Sequence, residues 1–452
     1  MTSNFLNGVT ILTQEMIDDL PVCDIHVHLP GVISPNTAWD LGLRNKLISV
    51  ERKENGEYIC FSGPNSLSIE DPHEHYLDIF NRDFQLDANG QPQNLKYAID
   101  FESFKSFDRI MATVQGHRNP PGGIQTKDDL LFVLYRYLEE CIKQKIFYTE
   151  LQQNIKIAYL LFPDENRENA RKQLYLLFQE VVEKFQSYGV HLRFLHCFNK
   201  TKAAGESKST HERTLEAALW LEEAKKIAPG VLVGIESAGH EKDQTGWPIH
   251  LKAGYDRVRE LGLGCEAHGG EGIGVEHMLD VIKTLPITRV AHGFQAIEDS
   301  EAIEYLKDNK ITLVMMPIIN LNLGLCLHVK EKEGVYVPFA KTKGGEKVHF
   351  RKLEQHPFFE LFKKHKLKIT LGSDNPEFGG VSIKKTIYAL AGLDSEYQLP
   401  ENFDKLNAEE VVTLCLNGIE AIFGEEKLKT GYKKLLAHWI EKYQVNCSIN
   451  LA

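Results

Sequence analysis

Eight short apolar runs punctuate the chain, at residues 22–28, 147–152, 192–198, 231–238, 262–268, 289–292, 311–316 and 368–373. Several are apolar at nearly every position, as expected of strands covered on both faces of a parallel sheet. Between them lie segments of helical period. In 128–145, Leu130, Leu131, Leu134, Leu138, Cys141 and Ile142 fall on one stripe. Residues 169–187, 212–227, 251–261, 275–284, 298–307 and 358–365 read the same way. Alternating strand and helix signals predict right-handed βαβ units, and eight such units close a (β/α)8 TIM-type barrel. The competing open, doubly wound sheet would carry a glycine-rich phosphate loop after its first strand, and none is present.

Three segments depart from a minimal barrel. Residues 39–127 form a long insertion after the first strand, with helical stretches and turn signals at Glu54-Asn55-Gly56 and Ala88-Asn89-Gly90. Residues 320–356 make a second excursion, whose middle, Thr342-Lys343-Gly344-Gly345-Glu346, is polar and aperiodic. After the eighth run, 381–390, 408–423 and 432–443 read as C-terminal helices. No repeat or low-complexity linker divides the 452 residues, so a single barrel domain over 1–452 is expected, with the insertion inside it.

Composition narrows the function classes. A net charge of −11 argues against nucleic-acid binding, which calls for a basic face. No stretch is apolar enough to span a membrane, and residues 1–20 lack the pattern of a secretory signal. The eight cysteines are scattered, without a C-x-x-C pair, and most sit in apolar runs; reduced thiols in a cytoplasmic protein are expected.

The chemistry gathers where the runs end. His26-Val27-His28 closes the first, and a strand's period of two points both imidazoles to one side. His268 closes the fifth run, His292 the sixth, and Asp374 follows the eighth. Each has a plainer reading. His268 beside two glycines and Asp374-Asn375-Pro376 both suit turns, His292 suits a satisfied core histidine, and Glu271 suits a helix-entry acid. Those readings do not explain why all fall at the same end of different strands, where a parallel barrel builds its active site. His26, His28, His268 and Asp374 form a catalytic zinc set, one metal per chain, with a position left for water. Glu271 then becomes a proton donor, and His292 a group that orients or deprotonates the water. His196 and His240, near the ends of the third and fourth runs, are further candidates to line the pocket.

At this point the chain resembles the adenosine deaminase family of metal-dependent amidohydrolases, from His26 to about Phe423. The matching motifs are His26-Val27-His28-Leu29, Phe147-Tyr148-Thr149-Glu150, Ser237-Ala238-Gly239, His268-Gly269-Gly270-Glu271, Arg289-Val290-Ala291-His292-Gly293, Pro317 with Asn320, and Ser373-Asp374-Asn375-Pro376. The resemblance implies zinc on His26, His28, His268 and Asp374. It implies proton donation by Glu271 to a purine ring nitrogen, and service of the attacking water by His292. Gly239, Asn375 and His28 would meet the substrate. The expected reaction is adenosine plus water to inosine and ammonia, with a small-molecule purine as substrate, neither nucleic acid nor membrane involved, and the oligomeric state left open. Alternatives are deamination of adenine, a modified purine nucleoside or a nucleotide, or a binding or signalling role with incidental catalysis.

Three positions depart from the family pattern. Pro30 stands where an acid usually holds the ribose, Asn375 replaces a common aspartate, and Gly269 replaces an alanine. The metal and catalytic positions are all retained, so the departures bear on specificity.

Overall fold

The structure, a computed structural model, describes residues 5–6, 9–66, 75–99, 104–116, 121–201, 205–327, 330–332, 335–337, 348–349 and 352–447. All eight apolar runs become strands: β1 (Val22–His28), β2 (Ile146–Gln153), β3 (His191–Asn199), β4 (Leu232–Ala238), β5 (Gly264–Gly269), β6 (Arg289–His292), β7 (Thr312–Met315) and β8 (Ile369–Leu371). They pair in sequence order and in parallel into one eight-stranded sheet. The curled sheet closes through a single bridge between Val27 and Asp374. Its hydrogen bonds run from His28 N–H to the Asp374 carbonyl and from Asp374 N–H to the His26 carbonyl, both 2.8 Å. Closure of the barrel and placement of three candidate site residues are therefore the same backbone event.

Six of the helices between strands answer to the helical segments of the sequence: α1 (Lys127–Lys143), α2 (Arg167–Ser187), α3 (Thr210–Ile227), α4 (Pro248–Glu260), α5 (Val275–Thr284) and α6 (Ser300–Asp308). Reciprocal capping boxes, Thr126 with Asp129 and Ser209 with Glu212, start α1 and α3. On α1 the buried stripe differs from expectation. Val133 and Tyr137 join Leu130, Leu134, Leu138 and Cys141, while Leu131 is half-buried and Ile142 exposed. Three- and four-residue steps from Leu130 reach all the buried positions; Leu131 and Ile142 lie at the stripe's edge. The helix expected at 358–365 is instead a short wide turn, Glu360–Lys364, with a His365 N–H bond to the Glu360 carbonyl. That turn buries Leu361 and Phe362 in the brief span before β8. The C-terminal helices are α7 (Ile383–Leu390), α8 (Ala408–Ala421) and α9 (Glu426–Tyr443), and α9 starts earlier than its apolar pattern suggests.

The insertion leaves the barrel before residue 39. A helix at Pro35–Arg44, capped by Ser34 with Pro35 at its first turn, already carries Trp39 into the core. Both turn signals make hairpins, Ile48–Arg52 with Tyr58–Ser62 and Gln85–Leu86 with Pro92–Gln93. Gly56 and Gly90 supply the positive φ there, +89° and +76°. Tyr97 and Phe107 pack edge-on against Phe378, four residues past Asp374, so the insertion braces the loop after β8. The polar middle of the second excursion, 342–346, lies outside the described residues. Among the described residues no helix is long and apolar enough to cross a membrane, and the seven cysteines whose side chains are described form no disulfide.

Candidate active site

Inside the barrel, side chains two apart on a strand stack in layers. A lower layer holds three buried charges: Glu150 on β2, Glu266 on β5 and Arg289 on β6. Arg289 Nη2 lies 2.6 Å from Glu150 Oε2 and 2.5 Å from Glu266 Oε2, and Nη1 donates to the Ala421 carbonyl at 3.1 Å. Its guanidinium also lies 3.7 Å from the centre of the Phe423 ring. Burial raises the Glu266 carboxyl, but Arg289 and His26 outweigh it and hold the group below its ordinary range.

The layer above carries the imidazoles. Glu266 Oε1 accepts from His26 Nδ1 at 2.7 Å, and the Gln152 amide lies 2.8 Å from the same nitrogen. Burial opposes charge on His26, yet Glu266 lifts its pKa to about 9. Glu236 on β4 makes a short bond to His268 Nδ1. A carboxylate on Nδ1 leaves each ring its Nε2 for the centre of the barrel. His26 Nε2 is buried there without a hydrogen-bond partner. His28 Nε2 lies 3.4 Å from Asp374 Oδ1. Ligand-type atoms of His26, His28 and His268 all lie within 4.8 Å of one another, as do those of His268, Glu271 and His292. Burial pushes the Asp374 carboxyl up to about 6, and pushes the His28, His268 and His292 imidazoles well below their usual range. The charge of Lys200, buried just past β3, adds to the shift on His268 and His292. A cluster of imidazoles and one carboxylate, with the orphaned His26 Nε2 at its centre, fits a divalent metal.

Two of these positions are strained: His292 has φ +64° and Asp374 has φ +58°, values that L side chains rarely adopt. Both bend sharply off a strand end and aim the side chain across the barrel mouth. Glu271 Oε1 sits 3.5 Å from His292 Nε2. Burial first, then the charges of Glu241 and Asp374, push the Glu271 carboxyl well above its usual range and so favour its protonated form. Glu241 braces the same loop, accepting backbone N–H bonds from Gly272 at 2.6 Å and Ile273 at 3.0 Å. Gly239 ends β4 with φ +105°, where a Cβ would meet Asn199 Oδ1 at 2.6 Å.

The structure therefore gathers His26, His28, His268, His292, Glu271 and Asp374 at one mouth. Asn375 is buried beside them, but its Nδ2 donates to Asp374 Oδ1 at 2.6 Å and its Oδ1 has no partner. Pro30 is buried in a short turn, Pro30–Val32; next to it, Gly31 has no room for a Cβ, which would fall 2.5 Å from the Asn375 Cα. His196 accepts the Ile155 N–H at 3.2 Å in the barrel wall, and His240 is exposed; neither belongs to the cluster of imidazoles.

Glu150 and Arg289 stand in the matching motifs without an assigned role, and sequence reasoning missed the rest of the supporting shell: Gln152, Glu236, Glu241, Glu266, Lys200 and His356. A signal existed for some of them. Glu236, Glu266 and Arg289 are charges inside apolar runs, and a charge buried in a strand requires a partner. Nothing local marks the other half of each pair.

The profile of the family described as adenosine deaminase matches residues 82–336. An adenosine deaminase of Clostridium acetobutylicum is 24% identical over 425 residues, covering 94% of this chain and 99% of the relative. An adenine deaminase of Vibrio parahaemolyticus is 22% identical over 434 residues, covering 94% and 97%. Among solved structures, an adenine deaminase from Arthrobacter aurescens superposes with a TM-score of 0.61 at 18% identity, covering 93% of this chain and 99% of that one. An amidohydrolase from Burkholderia ambifaria, solved with bound zinc, superposes with a TM-score of 0.64 at 15% identity, covering 97% and 95%. At these identities the two structures speak for the fold.

Proposed function

The chain belongs to the adenosine deaminase family, and from that premise we propose that it is a zinc-dependent hydrolase that removes the 6-amino group of a purine, with adenosine the first substrate to test. The observation that carries the reading is the half-buried Glu271 carboxyl, 3.5 Å from His292, in surroundings that favour its protonated form and beside a cluster of imidazoles that offers ligand nitrogens to a metal. His26, His28, His268 and Asp374 would hold one zinc. Glu266 and Glu236 keep His26 and His268 turned with Nε2 inward. Bound there, zinc supplies a Lewis acid that makes a nucleophilic water available near neutral pH.

The residues divide the remaining work. His292 holds the attacking water against the carbon that bears the amine. Glu271 gives its proton to the adjacent ring nitrogen, so that electron density from the new C–O bond has a place to rest. The water that adds gives up both its protons, one to the amine, which departs as ammonia, and one to the Glu271 carboxylate, which is thereby restored, and a 6-oxopurine is left. The barrel walls exclude bulk water, which strengthens each of these contacts. Gly239 offers backbone to the base, and Asn375 its amide to the imidazole side of the ring.

A second reading, free adenine as substrate, is favoured by Pro30. A proline carries no carboxylate to hold a ribose hydroxyl, so the sugar gains less than the base does. Relatives named for adenine as well as for adenosine stand at similar distance. The test is ammonia release from adenosine, 2′-deoxyadenosine, 5′-deoxyadenosine and adenine, alongside metal analysis. About one zinc per chain is expected, with turnover of adenosine that falls little when a sugar hydroxyl is removed. A preference for adenine establishes the second reading, and zinc-loaded protein inert to all four overturns both.

A further inference from the structure

A chain of three buried residues determines which nitrogen of His292 carries the proton. It begins at a group whose role is not in doubt, the backbone N–H of Phe358, which donates to His356 Nδ1 at 3.1 Å. A neutral imidazole that accepts at Nδ1 carries its hydrogen on Nε2. His356 is almost fully buried, and burial pushes its pKa down to about 3, so the ring is neutral. His356 Nε2–H therefore donates to Asn320 Oδ1, 3.2 Å away. That bond settles the Asn320 amide, since the flipped amide would set two donors face to face. Asn320 Nδ2 then donates to His292 Nδ1 at 2.9 Å. His292 accepts at Nδ1 and is left with its hydrogen on Nε2, the atom that faces Glu271 and the catalytic centre.

We infer that Asn320 and His356 are positioning residues that lock His292 in the Nε2–H tautomer, so that His292 works as a hydrogen-bond donor at the centre and not as a general base. The inference rests on the proposed deaminase reading for its catalytic half only; the tautomer itself is a property of the fold. An imidazole held this way presents no lone pair to the attacking water. It holds the water's oxygen through its own Nε2–H and fixes the direction of approach. To accept a proton at Nε2 the ring would first have to carry its hydrogen on Nδ1, against the Asn320 amide, again two donors face to face. Asn320 and His356 are both almost fully buried. Their side chains act through His292. His356 lies in the second excursion, far from the other motifs in sequence, and the excursion is thereby tied to the chemistry.

The test is nitrogen NMR of zinc-loaded protein labelled with [15N]histidine, the His292 signals being assigned by their loss in His292→Gln. Wild type should show a protonated Nε2 and an unprotonated, hydrogen-bonded Nδ1 at His292. Asn320→Asp is isosteric but puts a carboxylate, an acceptor, against Nδ1. It should move the hydrogen to Nδ1 and lower kcat by at least about 10²-fold, the scale of a misoriented catalytic imidazole, with KM changed less than about threefold. His356→Gln keeps a donor to Asn320 Oδ1 and His356→Leu removes it. Glutamine should therefore retain at least about tenfold more turnover than leucine at equal zinc content. A wild-type spectrum with the hydrogen on Nδ1 overturns the inference even if every variant misfolds. Equal turnover of the two His356 variants overturns the catalytic half. If wild type shows the expected tautomer but deaminates no purine, the functional reading fails while the relay stands.

Discussion

Replacing Arg289 by methionine tests the floor of the site. The arginine stands between two carboxylates that are fully buried, with contacts of 2.6 Å to Glu150 and 2.5 Å to Glu266. Methionine fills much of the same volume but leaves both acids uncompensated. Removing one partner of a buried ion pair costs about 3–5 kcal/mol, most of it the penalty of the stranded charge. Two acids are stranded here, and the bond to the Ala421 carbonyl and the stacking on Phe423 go too. The expected loss is therefore at the upper end, about 5 kcal/mol, a large share of the roughly 5–15 kcal/mol that holds a typical domain folded. Urea denaturation followed by fluorescence measures it. Zinc affinity should fall about 10- to 100-fold as well, because Glu266 loses the group that holds it against His26 Nδ1. The double variant with Glu150→Gln should regain part of the stability, since one stranded charge is gone. A single variant that loses less than about 1 kcal/mol, the scale of a surface pair, would refute the buried-triad reasoning. So would a Glu150→Gln cost that is the same in both backgrounds.

Other outcomes follow from the same geometry. Glu271→Gln should keep its zinc and lose at least about 10²-fold in turnover, because it removes a proton donor and no ligand; normal turnover would take Glu271 out of the reaction. His268→Ala and Asp374→Ala should lose metal and activity together, and metal analysis finding full zinc in either would mean that the ligand set is misassigned. Glu241→Ala should speed hydrogen exchange at the Gly272 and Ile273 amides, which the carboxylate now holds at 2.6 and 3.0 Å, and lower turnover about tenfold; unchanged exchange would show that the loop stands without it. Gly31→Ala drives a Cβ to 2.5 Å from the Asn375 Cα and should cost about 1–3 kcal/mol while weakening zinc, which a thermal melt and metal titration read directly; an unshifted melt would mean that the turn relaxes freely.

Much of the frame was legible along the chain because it depends on local periodicity. Apolar runs spaced by amphipathic helices specify eight βα units, and a parallel barrel gathers the ends of its strands at one mouth. That is enough to bring His26, His28, His268, His292 and Asp374 together from positions nearly 350 residues apart. The hairpins at Gly56 and Gly90 were equally local, since positive φ is a property of single residues. Element ends were less legible: the helix at Pro35–Arg44 and the wide turn at Glu360–Lys364 answer to what they pack against.

What only the tertiary structure decided is the set of partners. Glu266 is visible in the sequence as an odd charge in a strand, but that it meets His26 on one side and Arg289 on the other depends on the register of strands remote in sequence. The same holds for Glu236 with His268, and for His356, an unremarked histidine in a long loop whose hydrogen bond passes through Asn320 to His292. Periodicity assigns a residue to a face. Hydrogen bonding, which fails within an ångström of misplacement, is settled only when the faces meet. The chain therefore states in its own order which residues meet at the barrel mouth, and leaves to the closed barrel how each is turned and which partner it meets.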